Sequence, residues 1–179
     1  MSADPLISSV EVLAEGRFLR LLKQGTWEYV SRIRANGAAF LCAVTDADEI
    51  VLVEQLRVPV GQRVIELPAG VIGDEPQFAG ESIEAAALRE LEEETGFRAG
   101  HIERVLTGPT APGMSSEMLH LFRARQLVRV NPGGGVEGEN ITVHIVPLAT
   151  APQWLSARAA EGRLIEPRVY VGLWFAANP

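Results

Sequence analysis

Residues 81–97 read Glu81-Ser82-Ile83-Glu84-Ala85-Ala86-Ala87-Leu88-Arg89-Glu90-Leu91-Glu92-Glu93-Glu94-Thr95-Gly96-Phe97. Ser82 is a natural N-cap, the alanines and Leu88 have high helix propensity, and Gly96 is placed to end the helix. On that helix Glu90, Glu93 and Glu94 stand at i, i+3 and i+4, so they share one face across an arc of roughly 100°. Like charges at such spacing destabilise a helix. A divalent cation turns that repulsion into binding, and hard cations such as Mg²⁺ take oxygen ligands. Ala87 and Leu91, four apart and off the acidic arc, are placed to pack inward. The stretch therefore predicts a helix with one side on a core and a carboxylate side facing a cleft.

The rest of the chain supplies a core for that helix. Short alternating runs at 7–14, 18–22 and 27–33 predict strands, separated at Glu15-Gly16 and Gln24-Gly25. Runs at 37–45 and 49–55 are more continuously apolar, as buried strands are, and Asp46-Ala47-Asp48 between them suits a hairpin turn. A short strand at 64–67 precedes residues 70–80, where Gly70, Gly73, Pro76 and Gly80 predict a loop. Further strands are expected at 102–106, 118–123 and 141–146, and helices at 151–161 and 168–176. Strands on both sides of one strong helix indicate an α+β or αβα layered fold.

Bulk properties narrow the function. The 179 residues fit one domain with at most a small extra unit. A net charge of −7 argues against nonspecific nucleic-acid binding, which needs a basic face. Acidic proteins still bind phosphates where metal ions bridge the two. The single cysteine, Cys42, lies in an apolar run and reads as an inert buried residue; it forms no internal disulfide, which fits a reducing cytoplasm. No basic and apolar leader opens the sequence, and no apolar run approaches a membrane span.

Gly70, Glu81, Arg89, Glu90, Leu91, Glu93, Glu94, Gly96 and Phe97 together resemble the Nudix box, G-x5-E-x7-R-E-U-x-E-E-x-G-U, where U is a bulky apolar residue. Every fixed position from Glu81 to Phe97 is matched. The departure is upstream, where Gly70 precedes Glu81 by eleven positions instead of six, so 73–80 reads as a loop with five extra residues. The resemblance implies that Glu90, Glu93 and Glu94 bind Mg²⁺ or Mn²⁺ together with the backbone oxygen of Ala69. It implies that Glu81 is an outer member of the cluster, and Arg89 is placed to hold a glutamate by an ion pair.

The flanks are similar to the ADP-ribose pyrophosphatase branch. They are Glu54-Gln55-Leu56-Arg57, Glu66-Leu67-Pro68-Ala69-Gly70, and a loop Thr110-Ala111-Pro112-Gly113-Met114-Ser115-Ser116-Glu117. That similarity implies substrate contacts from Arg57, Glu66, Gly113, Met114 and Glu117. Trp27-Glu28 matches a pair that stacks on and hydrogen-bonds the base in some members. The Gly133-Gly134-Gly135-Val136-Glu137-Gly138-Glu139 stretch corresponds to a loop that supplies a general base, with Glu137 at that position, Glu139 as the near alternative and a glutamate of the box, Glu93 among them, as the third. Glycine there permits a flexible, closable loop. His101, His120 and His144 share no spacing and read as structural.

The resemblance thus implies a Nudix fold, a mixed β-sheet sandwiched between helices. Residues 1–35 form an N-terminal antiparallel extension exchanged in a homodimer, and residues 36–179 the Nudix domain. The activity implied is metal-dependent hydrolysis of a nucleoside diphosphate sugar, ADP-ribose first, with GDP-mannose or a broader set of sugar nucleotides as the alternative. A non-catalytic ADP-ribose-binding domain is the remaining reading. Neither nucleic acid nor membrane is an expected partner, and the expected location is the cytoplasm.

Overall fold

The computed structural model describes residues 9–178 apart from 36, 74–77, 79 and 137. Three strands, β1 (Val10–Glu15), β2 (Leu19–Gln24) and β3 (Trp27–Arg32), form a separate antiparallel meander. Gly25 makes the tight β2–β3 turn with a left-handed φ of 60°. Much of this small sheet is apolar and exposed, including Val10, Val12, Phe18 and Trp27.

The main sheet is built on β4 (Ala38–Val44), buried at all seven positions, and β5 (Glu49–Arg57). Its other strands are β6 (Gln62–Glu66), β7 (Ala69–Val71), β8 (Phe97–Pro109), β9 (Met118–Arg129), β10 (Thr142–Pro147) and β11 (Leu164–Ile165). The order is β11-β6-β5-β4-β9-β8, with β10 paired to β5 and β7 to β4. The β4–β9 and β11–β6 pairs are parallel and the others antiparallel, so the sheet is mixed.

Side chains alternate across β4 and divide the core in two. Phe40 joins Leu52, Leu67, Leu121 and the helix residues Leu155 and Val169, from α2 (Ala151–Ala160) and α3 (Arg168–Ala177). Leu41 joins Val51, Phe122 and the residues Ala86, Ala87 and Leu91 of α1 (Ile83–Thr95). The sheet is therefore sandwiched between α1 and the α2–α3 pair, as the sequence implies, and Ala87 and Leu91 pack inward with no exposure. No helix among the described residues is long and apolar enough to cross a membrane.

Four elements differ from expectation. β7 overlaps the start of the stretch read as a loop, because Gly70 in its centre hides a strand. β8 begins at Phe97 and β9 ends at Arg129, both longer than expected. Gly100, Gly108 and a register shift between Arg104 and Leu106 interrupt the apolar alternation along this outer hairpin. The two residues of β11 are too few to carry a period.

Candidate active site

Helix α1 starts where Ser82 Oγ accepts the N–H of Ala85 at 3.1 Å and ends at Gly96, φ 75°. Between these caps its acidic face lies against β7. A Cβ at Gly70 would stand 1.9 Å from Glu90 Cδ, so the missing side chain leaves the space that the Glu90 carboxylate occupies. Next to it, the Ala69 N–H donates to Glu94 Oε2 at 2.9 Å. Glu94 is 5% exposed. Burial pushes its pKa up to about 8; the charges of Glu90 and Glu139 push the same way, against the Ala69 hydrogen bond and Arg57.

Arg89 ties the face together. Its Nη1 donates to Glu90 at 2.9 Å and Glu93 at 3.0 Å, and its Nη2 to Glu81 at 3.1 Å. Burial opposes the guanidinium charge, but Glu81 and Glu90 outweigh it and raise the Arg89 pKa further. The expectation of one ion pair becomes a hub of three. Phe78, from the lengthened loop, lies 3.9 Å from the Arg89 guanidinium carbon and covers its face.

A cleft of about 920 Å³ opens beside this face. Its lining includes Arg57, Glu66, Ala69, Arg89, Glu90, Glu93, Glu94, Glu117 and Glu139 from the residues singled out in the sequence. Arg57 Nη2 pairs with Glu66 at 2.8 Å, and Gln55 donates to the same carboxylate at 3.2 Å. Glu117 pairs with Arg32, which the sequence reading missed because a lone arginine at a strand end carries no signal. Glu166 and Arg168, at the start of α3, were missed for the same reason.

Five anticipated residues are not in the lining of this cleft within the chain, and one of them, Glu81, reaches the acidic face through Arg89. Trp27 and Gly113 line a separate hollow of about 300 Å³ with Tyr29, Pro112 and Ser115. Glu28 and Met114 are exposed outside both linings. The loop around Met114 is nevertheless tied to β3, since its carbonyl accepts the Val30 N–H at 2.8 Å. Glu137 lies outside the described residues.

The glycine-rich loop is docked on the end of α1. Gly134 N–H donates to Glu94 C=O at 2.8 Å and Gly135 N–H to Glu93 C=O at 3.0 Å, satisfying carbonyls that a helix end leaves open. A Cβ at Gly133 would meet the Thr95 backbone at 2.3 Å, which gives close packing as the reason for glycine here. Glu139 curls back, accepting the Val136 N–H at 3.0 Å while lining the cleft. Of the histidines, His144 pairs with Glu54, His120 contacts Thr107 and His101 faces Glu103, so all three have structural partners.

Among the described residues, no three acidic or imidazole side chains already converge into a metal cage. Arg89 accounts for this, since it draws Glu90 and Glu93 to itself. The donor set still fits Mg²⁺ or Mn²⁺: it is all oxygen, and Mg²⁺ binds through one or two carboxylates with water and substrate phosphate completing its shell. A bound cation would stabilise the ionised form of Glu94, which is buried among like charges.

A model of the NUDIX domain matches residues 35–166. This chain belongs to the Nudix family. As a Nudix hydrolase it is 32% identical to a methanol dehydrogenase activator of Bacillus methanolicus, over 83% of this chain and 81% of that one. It is 38% identical to an ADP-ribose pyrophosphatase of Bacillus subtilis, over 53% of this chain and 49% of that one. A GDP-mannose pyrophosphatase of Cronobacter sakazakii is 37% identical, over 66% of this chain and 63% of that one. Among solved structures, an ADP compounds hydrolase superposes with a TM-score of 0.66 at 26% identity, covering 83% of this chain and 80% of that one.

Proposed function

We propose that this Nudix hydrolase cleaves the diphosphate of a nucleoside diphosphate sugar, ADP-ribose first, giving AMP and ribose 5-phosphate. Similarity to the GDP-mannose pyrophosphatase favours GDP-mannose, or a broader set of sugar nucleotides, as the second reading. One observation carries both: the carboxylate face of α1, held against Ala69 and Gly70, forms the wall of a cleft that also contains arginines. Its volume of about 920 Å³ suits a ligand of dinucleotide size.

Glu90, Glu93 and Glu94 would hold Mg²⁺ or Mn²⁺, with the Ala69 backbone oxygen as a further ligand and Glu81 behind them. The bound ion supplies charge neutralisation at the phosphates and a lower pKa for the attacking water. Arg89 keeps Glu90 and Glu93 oriented through hydrogen bonds to both. Arg57, beside Glu66, donates to phosphate or ribose oxygens. Glu137 takes the proton of the attacking water, with Glu139 as the alternative base, supported by its place in the cleft lining. Gly113, Met114 and Glu117 contact the distal sugar.

Trp27 and Glu28 read the base from a second copy of the chain. The exposed apolar surface of the β1–β3 sheet supports that homodimer. A cytoplasmic setting goes with this reading, and the lone thiol, Cys42, is free and buried. The test is a turnover panel of ADP-ribose, GDP-mannose, UDP-glucose, NADH and dGTP with Mg²⁺ and with Mn²⁺. Hydrolysis of the sugar nucleotides ahead of dGTP is the expected result; exclusive turnover of dGTP contradicts the reading.

A further inference from the structure

We propose that Arg168 is a specificity-determining residue that grips oxygen atoms of the sugar beyond the diphosphate. This rests on the reading of the chain as a sugar-nucleotide hydrolase. The geometry starts at β11, whose Leu164 and Ile165 pair with Val64 and Ile65 of β6. The Glu166 N–H then donates to the Ile65 carbonyl at 2.9 Å, and Pro167 opens α3. Arg168, the first residue of that helix, is thereby set in the wall of the cleft that holds the box glutamates.

The side chain is held on two sides. Glu166 accepts the Arg168 backbone N–H at 2.9 Å and its Nε at 2.6 Å. The guanidinium carbon lies 4.1 Å from the centroid of the Phe40 ring, a cation–π contact. Nη1 and Nη2 have no hydrogen-bond partner among the described residues. What remains open is a rigid pair of donors, already ordered before any ligand arrives. The other cleft arginines differ. Arg89 has Nε and both Nη atoms on carboxylates, and Arg57 has Nε and Nη2 on Glu66. Arg32 is anchored by Glu117 but, among the described residues, has no ring beneath it.

Two features point to a sugar. Glu166 already offsets the charge of Arg168, which suits hydroxyl acceptors better than another phosphate. The cleft lining also carries exposed apolar side chains, Val60 and Leu164, beside a half-buried Ile165, and so offers a surface to the C–H face of a sugar ring.

The experiment compares wild type, Arg168→Gln and Arg168→Lys in steady-state hydrolysis of ADP-ribose, ADP-glucose and GDP-mannose, with ADP as a sugarless inhibitor. Arg168→Gln is expected to raise KM for the sugar substrates about 10- to 100-fold, the usual weight of a hydrogen bond to a charged group, with little change in kcat. The inhibition constant of ADP stays as in wild type. Arg168→Lys keeps the charge but loses the fork, and recovers only part of the affinity; it decides the matter by itself if the Gln variant melts early. Unchanged KM values overturn the proposal, and so does ADP inhibition that weakens in step with KM. Failure of wild type to hydrolyse any sugar nucleotide overturns the functional reading itself and this inference with it.

Discussion

Glu94 and Glu54 are both nearly inaccessible, at 5% and 6% exposure, but they lie in opposite electrical surroundings. Glu54 is enclosed by two guanidinium groups, Arg63 at 2.7 Å and Arg163 at 2.8 Å, and by the His144 ring at 3.0 Å. Burial alone would raise its pKa, but these three partners reverse that and hold it below the ordinary value. Glu94 has one backbone N–H and sits among other carboxylates, so burial dominates and pushes its pKa up to about 8. Glu54 joins β5, β6, β10 and the segment after α2, and so acts as a rivet of the fold. Glu94 is a buried acid beside other carboxylates, an arrangement that adds nothing to stability in metal-free protein. The contrast teaches that burial does not by itself separate a structural carboxylate from a functional one; the balance of neighbouring charge does.

The same Glu→Gln change should therefore have opposite consequences at different glutamates. The largest effect is expected on turnover. Glu93→Gln or Glu94→Gln should lower kcat by at least about 10³-fold, comparable to the loss of a principal electrostatic group, while circular dichroism shows a folded protein. Glu54→Gln should leave the chemistry in place. Smaller, but still on turnover, Glu137→Gln should lower kcat by roughly 10²-fold with little change in KM. Full activity in that variant, with loss in Glu139→Gln, would move the base to Glu139.

Stability effects come next and carry opposite signs. Glu54→Gln strips Arg63, Arg163 and His144 of their common partner and should cost about 2–4 kcal/mol, below the full loss for a buried pair because Arg163 is 41% exposed. Glu94→Gln should raise the Tm of the metal-free protein by roughly 2–4 °C, equivalent to about 1 kcal/mol in a chain of this size. Scanning calorimetry in chelator reads both, and two shifts of the same sign would break the comparison.

The smallest effect is on pH dependence. The raised Glu94 pKa means that its favourable contribution is complete below about pH 4.5 and is lost as pH rises towards 8. The lowered Glu54 pKa gives the reverse: stability present above its unfolded value near 4.5 and lost as pH falls through the folded one. Melting curves of metal-free protein should thus decline towards pH 8 through Glu94 and in acid through Glu54. Each Glu→Gln variant should flatten only its own limb.

Much of the box region was legible because its signals are local. Ser82 and Gly96 bound the helix, and the three-to-four spacing places Ala87 and Leu91 on the core and Glu90, Glu93 and Glu94 on the adjoining arc, with Glu94 at its buried edge. The Glu54 cluster was not legible, because its partners come from positions 63, 144 and 163 and meet only when the sheet forms. Strand β7 was hidden by the glycine that makes close approach to Glu90 possible. Trp27 carried a motif match, but its place in the small sheet, away from the acidic cleft, depends on how β3 docks on the loop around Met114. The glycine-rich loop was read as free to close, whereas its amides cap α1; that is a contact between residues some forty positions apart.

The most direct test of the central claim, that the α1 carboxylates form a cation-dependent grip on a diphosphate, is the shift in Tm on adding saturating Mn²⁺ to wild type and to Glu94→Gln. Ligand binding to the folded state alone raises Tm by an amount that grows with the logarithm of ligand concentration over its dissociation constant. The account predicts a clear rise for wild type and little or none for the variant. Equal shifts in the two proteins, or none in wild type, would contradict it.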